Sequence, residues 1–181
     1  MSLLSVEDAV LFVIDMQGNL YESMQDKQFL LENVRRLIRG VQVFGIPVIV
    51  TEQIPEKLGP TIPPVADLLP ATRGIPKADF SCCGDEKIMK ALKAVDRRQV
   101  LLCGIETHVC VYQTAIDLLA FGYEVHLVAD AVSSRTVMNR EIGIEKMCDQ
   151  GAHLASTEMV LFELIRTAED PKFKEIFKIV K

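Results

Sequence analysis

The chain has 181 residues, of which 49% are hydrophobic and 25% are charged, which suits one folded domain with its own buried core over residues 1–181. Twenty basic against 25 acidic residues give a net charge of −5, and without a basic stripe this charge disfavours a nucleic-acid partner. The longest apolar runs fall far short of the ~20 residues that cross a bilayer, and residues 1–10 lack the basic start of a signal peptide. We therefore expect a cytoplasmic protein with no membrane partner.

Short apolar runs alternate with amphipathic helical patterns along the chain. Residues 9–15 form a continuous apolar run that ends in a carboxylate, as in a strand buried on both faces. The later predicted elements are a helix over 29–43, a strand over 47–51, a long loop over 54–76, a helix over 85–95, a strand over 99–105, a helix over 108–121, a strand over 125–129, a helix over 136–150, a strand over 152–156, and helices over 157–166 and 171–180. This alternation predicts an α/β fold: a three-layer sandwich with a mostly parallel, doubly wound sheet and helices on both faces.

The cysteines and histidines show no ligand spacing. The cysteines are Cys82, Cys83, Cys103, Cys110 and Cys148, and the histidines are His108, His126 and His153. An odd number of cysteines without C-x-x-C pairs disfavours a disulfide framework and a structural zinc site. The histidines share no metal-ligand spacing with one another or with acidic residues. From the cysteine pattern we predict free thiols, and from both patterns no metal site and no cofactor.

Ligands bind at the carboxyl ends of the strands in such sheets. This rule selects two segments of the chain as candidate parts of a functional site. Asp15 ends the first predicted strand. The third strand ends at Ile105, and Thr107 is placed to cap the next helix, which puts Cys110 in its first turn. Unpaired N–H groups and the helix dipole favour an anion there, so we predict a stabilised thiolate at Cys110. His108 lies two residues away and faces another side of the helix, which disfavours a Cys–His dyad.

A reactive thiol without a histidine needs another base and another charge. Asp15 can accept the thiol proton, and a lysine can hold the charges together. Lys77 lies where the chain re-enters the fold after the long loop. On residue pattern alone, however, a solvated surface charge explains Lys77 better than a role in the site does.

Three segments resemble, in order and spacing, the signatures of the isochorismatase-like cysteine hydrolases. They are 12–17 (FVIDMQ), 77–81 (KADFS) and 103–111 (CGIETHVCV). The similarity continues through 130–135 (DAVSSR) and 151–152 to 156–159 (STEM), and so covers nearly the whole chain. The segments 51–53 (TEQ) and 58–61 (LGPT) most resemble isochorismatase domain-containing hydrolases of undefined substrate.

The resemblance implies a catalytic triad of Asp15, Lys77 and Cys110. In it Cys110 attacks a carbonyl carbon, Asp15 shuttles the proton, and Lys77 stabilises the charges. It also implies a cis peptide between Ile105 and Glu106, with backbone N–H groups of Ile105, Glu106 and Cys110 directed at the oxyanion.

Other residues shared with the family are candidates for the pocket or for its support. Gln17, Phe80 and Glu106 are candidates for lining the substrate pocket, with a supporting role as the alternative for each. Asp130 and Arg135 are interpreted as ion-pairing or turn residues.

This sequence differs from two groups of related enzymes at positions that their reactions require, which disfavours those reactions here. True isochorismatases, which cleave a vinyl ether, lack the cysteine at position 110, and metal-holding nicotinamidases have a histidine where residues 51–54 read TEQI. We therefore predict a cofactor-free hydrolase that cleaves a small amide or related acyl substrate through a Cys110 thioester. A catalytically idle scaffold that binds a partner, and a non-amide hydrolase of a vinyl ether or ester, are the alternatives.

The resemblance further implies a homo-oligomer. Residues 171–181 place apolar side chains on one face of the last predicted helix. That face contacts a neighbouring subunit or docks on the core of its own subunit, and a helix lying on a membrane surface is the third, less favoured alternative.

Overall fold

Six parallel strands form one sheet in the computed structural model, which describes residues 3–181; residues 1 and 2 of the predicted domain lie outside the described residues. The strands are β1 (Ala9–Ile14), β2 (Val48–Gln53), β3 (Ile75–Lys77), β4 (Gln99–Ile105), β5 (Glu124–Ser133) and β6 (His153–Ala155). Their order is β3-β2-β1-β4-β5-β6, and all neighbours pair in parallel. The chain therefore winds outward from β1 to one edge and then from β4 to the other, which confirms the doubly wound α/β prediction and places the reversal between β1 and β4.

Helices cover both faces of this sheet. They are α1 (Gly18–Glu22), α2 (Lys27–Val43), α3 (Pro55–Leu58), α4 (Pro63–Ala66), α5 (Glu86–Val95), α6 (Tyr112–Ala120), α7 (Val137–Asp149), α8 (Thr157–Ile165) and α9 (Phe173–Val180). In β1, Leu11 and Val13 pack with α2 and α8, whereas Phe12 and Ile14 pack with α5, α6 and α7. Because all of β1 is buried, its sequence is a continuous apolar run rather than an alternating one.

The segment predicted as a long loop contains regular structure, so that prediction is wrong in part. The short helices α3 and α4 each begin with a proline, which has no N–H to lose in a first turn. The strand β3 also contains Pro76 and pairs only with β2, at the edge of the sheet. Proline is tolerated on an edge strand, and three residues are too few to give an apolar pattern.

The last helix docks on its own subunit. Ile176 of α9 is fully buried in a cluster with Leu161 and Ile165 of α8. Phe177 on the same helix remains exposed. Within residues 3–181, no helix combines the length and the apolar character needed to cross a bilayer.

Candidate active site

The carboxyl ends of three strands bring Asp15, Lys77 and Cys110 together. Asp15 follows β1, Lys77 ends β3, and Cys110 lies in a π-helical turn (Thr107–Val111) after β4. Lys77 Nζ lies 2.8 Å from Asp15 Oδ2, with both side chains fully buried. The Cys110 thiol, in a residue that is only 5% exposed, lies next to the Asp15 carboxylate. A base, a cation and a thiol therefore share one buried site.

Local backbone geometry and one hydroxyl orient the Asp15 carboxylate. Asp15 has a φ of +51°, a left-handed conformation that aspartate tolerates better than most residues. Its N–H still bonds to the Thr51 carbonyl at 3.2 Å. The Thr51 hydroxyl donates to Asp15 Oδ1 at 2.8 Å, which leaves Oδ2 to Lys77. The two oxygens of the carboxylate thus have separate partners.

The Lys77 ammonium is surrounded by acceptors. Besides Asp15, it donates to Gln53 Oε1 at 2.5 Å and to the carbonyls of Asp79 and Phe80 at 3.2 and 3.1 Å. Burial lowers the pKa of Lys77, but the Asp15 carboxylate, together with the anionic forms of the nearby cysteines, raises it by more, so the pKa lies above its ordinary value. Lys77 is therefore a fixed positive charge at neutral pH.

The Cys110 thiol is neutral at rest, and the prediction of a stabilised thiolate is wrong. Burial raises the pKa of Cys110 and the Asp15 carboxylate raises it further, whereas Lys77 lowers it only in part. The helix start also differs from the prediction, because Glu106 occupies the N-cap position. The Thr107 hydroxyl is buried and finds no hydrogen-bond partner within residues 3–181. The Asp15 carboxylate lies next to this neutral thiol.

The predicted oxyanion donors lie at the junction of β4 and the π-helical turn. The peptide between Ile105 and Glu106 is cis. The Glu106 carbonyl accepts hydrogen bonds from the N–H groups of Val109 and Val111 at 3.1 and 3.2 Å. Ile105, Glu106 and Cys110 thus border the site from the β4 side, and their role toward an oxyanion stays a prediction.

The three candidates for lining the pocket have different environments. Gln17 is fully buried, and its amide bonds to main-chain groups of Gln53 and Gly59, which makes it a supporting residue. The Glu106 carboxylate accepts two bonds from Arg135, from the backbone N at 3.1 Å and from Nε at 3.0 Å. The Phe80 ring is 53% exposed and remains available to a substrate.

Arg135 and Asp130 make the polar contacts expected of supporting residues. The Arg135 side chain is 59% exposed and forms an ion pair with the largely buried Glu106. Asp130 Oδ1 accepts bonds from the Thr157 N–H and hydroxyl at 2.8 and 3.0 Å, at the start of α8. The first interaction joins the segments that follow β4 and β5, and the second joins β5 to the start of α8.

Sequence reasoning missed two residues at the site. Thr51 and Gln53, at the end of β2, contact Asp15 and Lys77 directly. Cys82 is fully buried with its Sγ 3.8 Å from the Thr51 hydroxyl, and burial raises the pKa of its thiol to about 11. The available signal was the change from apolar to polar residues after the second predicted strand, since parallel neighbours end at the same edge of a sheet.

No metal-binding cluster is present in the part of the chain that the structure describes. Nowhere in residues 3–181 do three or more histidine, cysteine, aspartate or glutamate side chains converge to hold an ion. In the segment 51–54, which contains no histidine, Gln53 bonds to Lys77.

Comparison with known proteins identifies the family. Residues 9–159 match the model described as the Isochorismatase domain. Isochorismatase domain-containing protein 1 of Danio rerio is 40% identical over 178 residues, which cover 98% of this chain but only 62% of that protein. A secreted isochorismatase effector of Phytophthora sojae is 37% identical over 177 residues, covering 96% of this chain and 84% of that protein.

Two solved structures share the whole architecture. The MAR1 ribonuclease of Caenorhabditis elegans aligns with a TM-score of 0.93 and 37% identity, over 99% of this chain and 92% of that one. The ycaC gene product of Escherichia coli, described as an octameric hydrolase of unknown specificity, aligns with a TM-score of 0.92 and 25% identity, over 99% and 91%. Since the family match and these identities extend over most of its length, the chain belongs to the isochorismatase family.

Proposed function

We propose that this protein is a cofactor-free cysteine hydrolase that cleaves a small amide, or a related acyl substrate, through a thioester on Cys110. The observation that carries the proposal is the fully buried ion pair of Asp15 and Lys77, 2.8 Å apart, beside a thiol that is neutral at rest. A base and a nucleophile in contact, with a third group orienting the base, are the parts that covalent hydrolysis requires.

In the first half of the reaction, Cys110 Sγ attacks the substrate carbonyl carbon while its proton moves to the Asp15 carboxylate. The carbonyl electron pair moves to oxygen, and the backbone N–H groups at the junction of β4 and the π-helical turn would hold the resulting oxyanion. Protonated Asp15 then gives its proton to the leaving nitrogen. The C–N bond breaks, the amine departs, and the thioester on Cys110 remains.

In the second half, Asp15 takes a proton from water as the water oxygen attacks the thioester carbonyl. The C–S bond breaks, the carboxylic acid leaves, and protonated Asp15 returns its proton to the Cys110 thiolate. Lys77 transfers no proton in either half, because its pKa is raised and its ammonium is bonded to acceptors on all sides. Its charge stabilises the anionic states of Asp15 and Cys110.

An activity screen with matched cysteine variants tests the proposal. We expect wild-type protein and Cys148→Ala, which changes a half-buried cysteine on α7, to hydrolyse members of a small-amide panel, and Cys110→Ala to hydrolyse none. Intact mass should show a substrate acyl group on the proteins that keep Cys110 and on no other.

The same screen separates the alternatives. Ester or vinyl ether hydrolysis without amide hydrolysis would favour the non-amide enzyme, and no turnover in any arm would favour the idle scaffold. RNA is included because the C. elegans relative is named a ribonuclease. Cleavage of RNA but of no acyl substrate, or full activity in Cys110→Ala, would contradict the proposal.

We also infer a homo-oligomer with a small-molecule substrate and no nucleic-acid or membrane partner. The E. coli relative is described as octameric, and α7 of this chain leaves apolar side chains exposed. They are Val137, Met138 and Ile142. A symmetric assembly would bury such a surface. A cytoplasmic location stays a prediction, since the Phytophthora relative is named a secreted effector.

A further inference from the structure

Gln53 makes the shortest contact of the Lys77 ammonium. Its Oε1 accepts from Nζ at 2.5 Å, and its Nε2 donates to the Ala78 carbonyl at 2.7 Å. The side-chain amide thus spans from the end of β2 to the main chain just after β3. Because Gln53 is only 6% exposed, water does not readily replace these bonds.

The main chain of Gln53 is held as firmly as its side chain. The Gln17 side chain accepts from the Gln53 N–H at 2.7 Å and donates to the Gln53 carbonyl at 3.1 Å. Gln17 also donates to the Gly59 carbonyl at 2.6 Å, which ties in the segment that follows α3. Two glutamines, neither of which carries a net charge, therefore connect the carboxyl ends of β1, β2 and β3.

The neutrality of Gln53 matters for the charge pair beside it. Lys77 and Asp15 balance each other in a site from which water is excluded. A carboxylate at position 53 would compete with Asp15 for the ammonium and leave one negative charge unpaired, which is costly in a buried site. An apolar side chain would remove one acceptor of the ammonium and would leave the Ala78 carbonyl without the Gln53 donor. An amide supplies both bonds and adds no charge.

We propose that Gln53 is a positioning residue whose neutral amide holds the Lys77 ammonium against the Asp15 carboxylate. The role deepens the proposed function and rests on it, because Asp15, Lys77 and Cys110 are the groups that react there. Gln53 acts only through Lys77. Its replacement should therefore change the electrostatic environment of Cys110 without touching Cys110.

The pH dependence of Cys110 alkylation measures that environment without a substrate. The charged and titratable groups that act on Cys110 are Asp15, Lys77 and Cys82. Below the pKa of a thiol, its rate with iodoacetamide follows the thiolate fraction, so each unit of pKa changes the rate about tenfold. Peptide mapping assigns the label to Cys110 among the five cysteines.

Gln53→Glu, which keeps the shape and adds a charge, is the principal variant. We expect Cys110 to be alkylated about tenfold more slowly than in wild type at about pH 8, because a nearby charge in a poorly solvated site is worth roughly a pKa unit or more. Gln53→Met removes the acceptor without adding a charge. It should slow alkylation in the same direction, by about two- to threefold, because Lys77 then stabilises the thiolate less well.

Gln42→Glu is the matched control. Gln42 is exposed on α2, and its Nε2 also donates to a main-chain carbonyl, that of Leu68, at 2.7 Å. The control should leave the Cys110 rate unchanged. A wild-type rate in Gln53→Glu, or an equal shift in Gln42→Glu, would overturn the positioning role. So would a failure of both Gln53 variants to fold, since Gln53 would then serve stability alone.

The outcome is independent of the proposed reaction. Slower alkylation of Cys110 in Gln53→Glu, together with no acyl hydrolysis in wild type, would refute the proposed function and leave Gln53 as the residue that positions Lys77. Acyl hydrolysis in wild type together with a wild-type rate of Cys110 alkylation in Gln53→Glu would support the proposed function and refute the positioning role of Gln53.

Discussion

Lys77→Met should destabilise the protein strongly, because it removes one member of a fully buried ion pair. Methionine keeps most of the lysine stem, so the main loss is the ammonium 2.8 Å from Asp15 Oδ2. The Asp15 carboxylate would stay buried beside the neutral Thr51 hydroxyl and the neutral Cys110 thiol, without the positive charge of Lys77 to balance it. Breaking a buried pair in this way costs about 3–5 kcal/mol. That is a large share of the roughly 5–15 kcal/mol by which domains are stable.

The double variant Asp15→Asn with Lys77→Met separates the lost attraction from the unpaired charge. With both charges removed, no carboxylate remains uncompensated, so the double variant should be more stable than Lys77→Met by at least about 1 kcal/mol. Lys90→Met on α5 is the control, because Lys90 is exposed, and it should change stability by less than about 0.5 kcal/mol.

Urea denaturation measures the free energy of unfolding of all these variants. An unchanged slope of that free energy against urea concentration shows that the variants share one unfolding transition. A cost below about 1 kcal/mol for Lys77→Met would refute the reasoning, since even an exposed pair can be worth that much. Strict additivity of the two single changes would refute it as well, because Asp15 and Lys77 would then not interact.

Further predictions concern other parts of the molecule. Gly104→Ala should abolish folding or cost more than about 3 kcal/mol, because a Cβ there would lie 2.0 Å from the Ile14 carbonyl oxygen. Gly122→Ala, also at positive φ but in open space, should cost only about 1 kcal/mol. Equal costs of the two changes in urea denaturation would contradict this prediction. Burial and His153 lower the pKa of His126, so the unfolded state binds the proton more tightly. The free energy of unfolding should therefore decrease as the pH drops below about 6.5, and His126→Leu should reduce that decrease. An unchanged dependence of stability on pH in His126→Leu would be evidence against this prediction. Dialysis against a chelator should leave turnover intact, and loss of activity restored by zinc would revive a metal mechanism. Light scattering should show an oligomer, and a fully active species of 20.2 kDa would disprove one.

Most of the architecture was predictable from local patterns. The helix predicted over 85–95 is α5 (Glu86–Val95), and the strand predicted over 99–105 is β4 (Gln99–Ile105). Each has a clear period or a continuous apolar run. The third strand, β3 (Ile75–Lys77), was missed, because it is three residues long and contains a proline. Such a strand is specified by its pairing with β2 rather than by its own residues.

The site was predictable only in part. Asp15 and Cys110 follow from the rule that ligands bind where parallel strands end. Lys77 was brought forward by the family resemblance alone, since a lysine beside a missed strand has no distinguishing local pattern. Gln53 and Thr51 were missed because their contacts with Lys77 and Asp15 lie 24 and 36 residues away along the chain.

The sequence by itself determined the elements whose patterns are local: apolar runs for strands buried on both faces, 3.6-residue periodicity for helices, and a set of family signatures in order. Only the tertiary structure decided the electrostatics of the site. The Cys110 thiol is neutral because neighbours from several strands exclude water from it and place the Asp15 carboxylate beside it. Desolvation and the spacing of charges belong to the folded chain as a whole, so the helix start that favoured a thiolate in the sequence is outweighed in the fold.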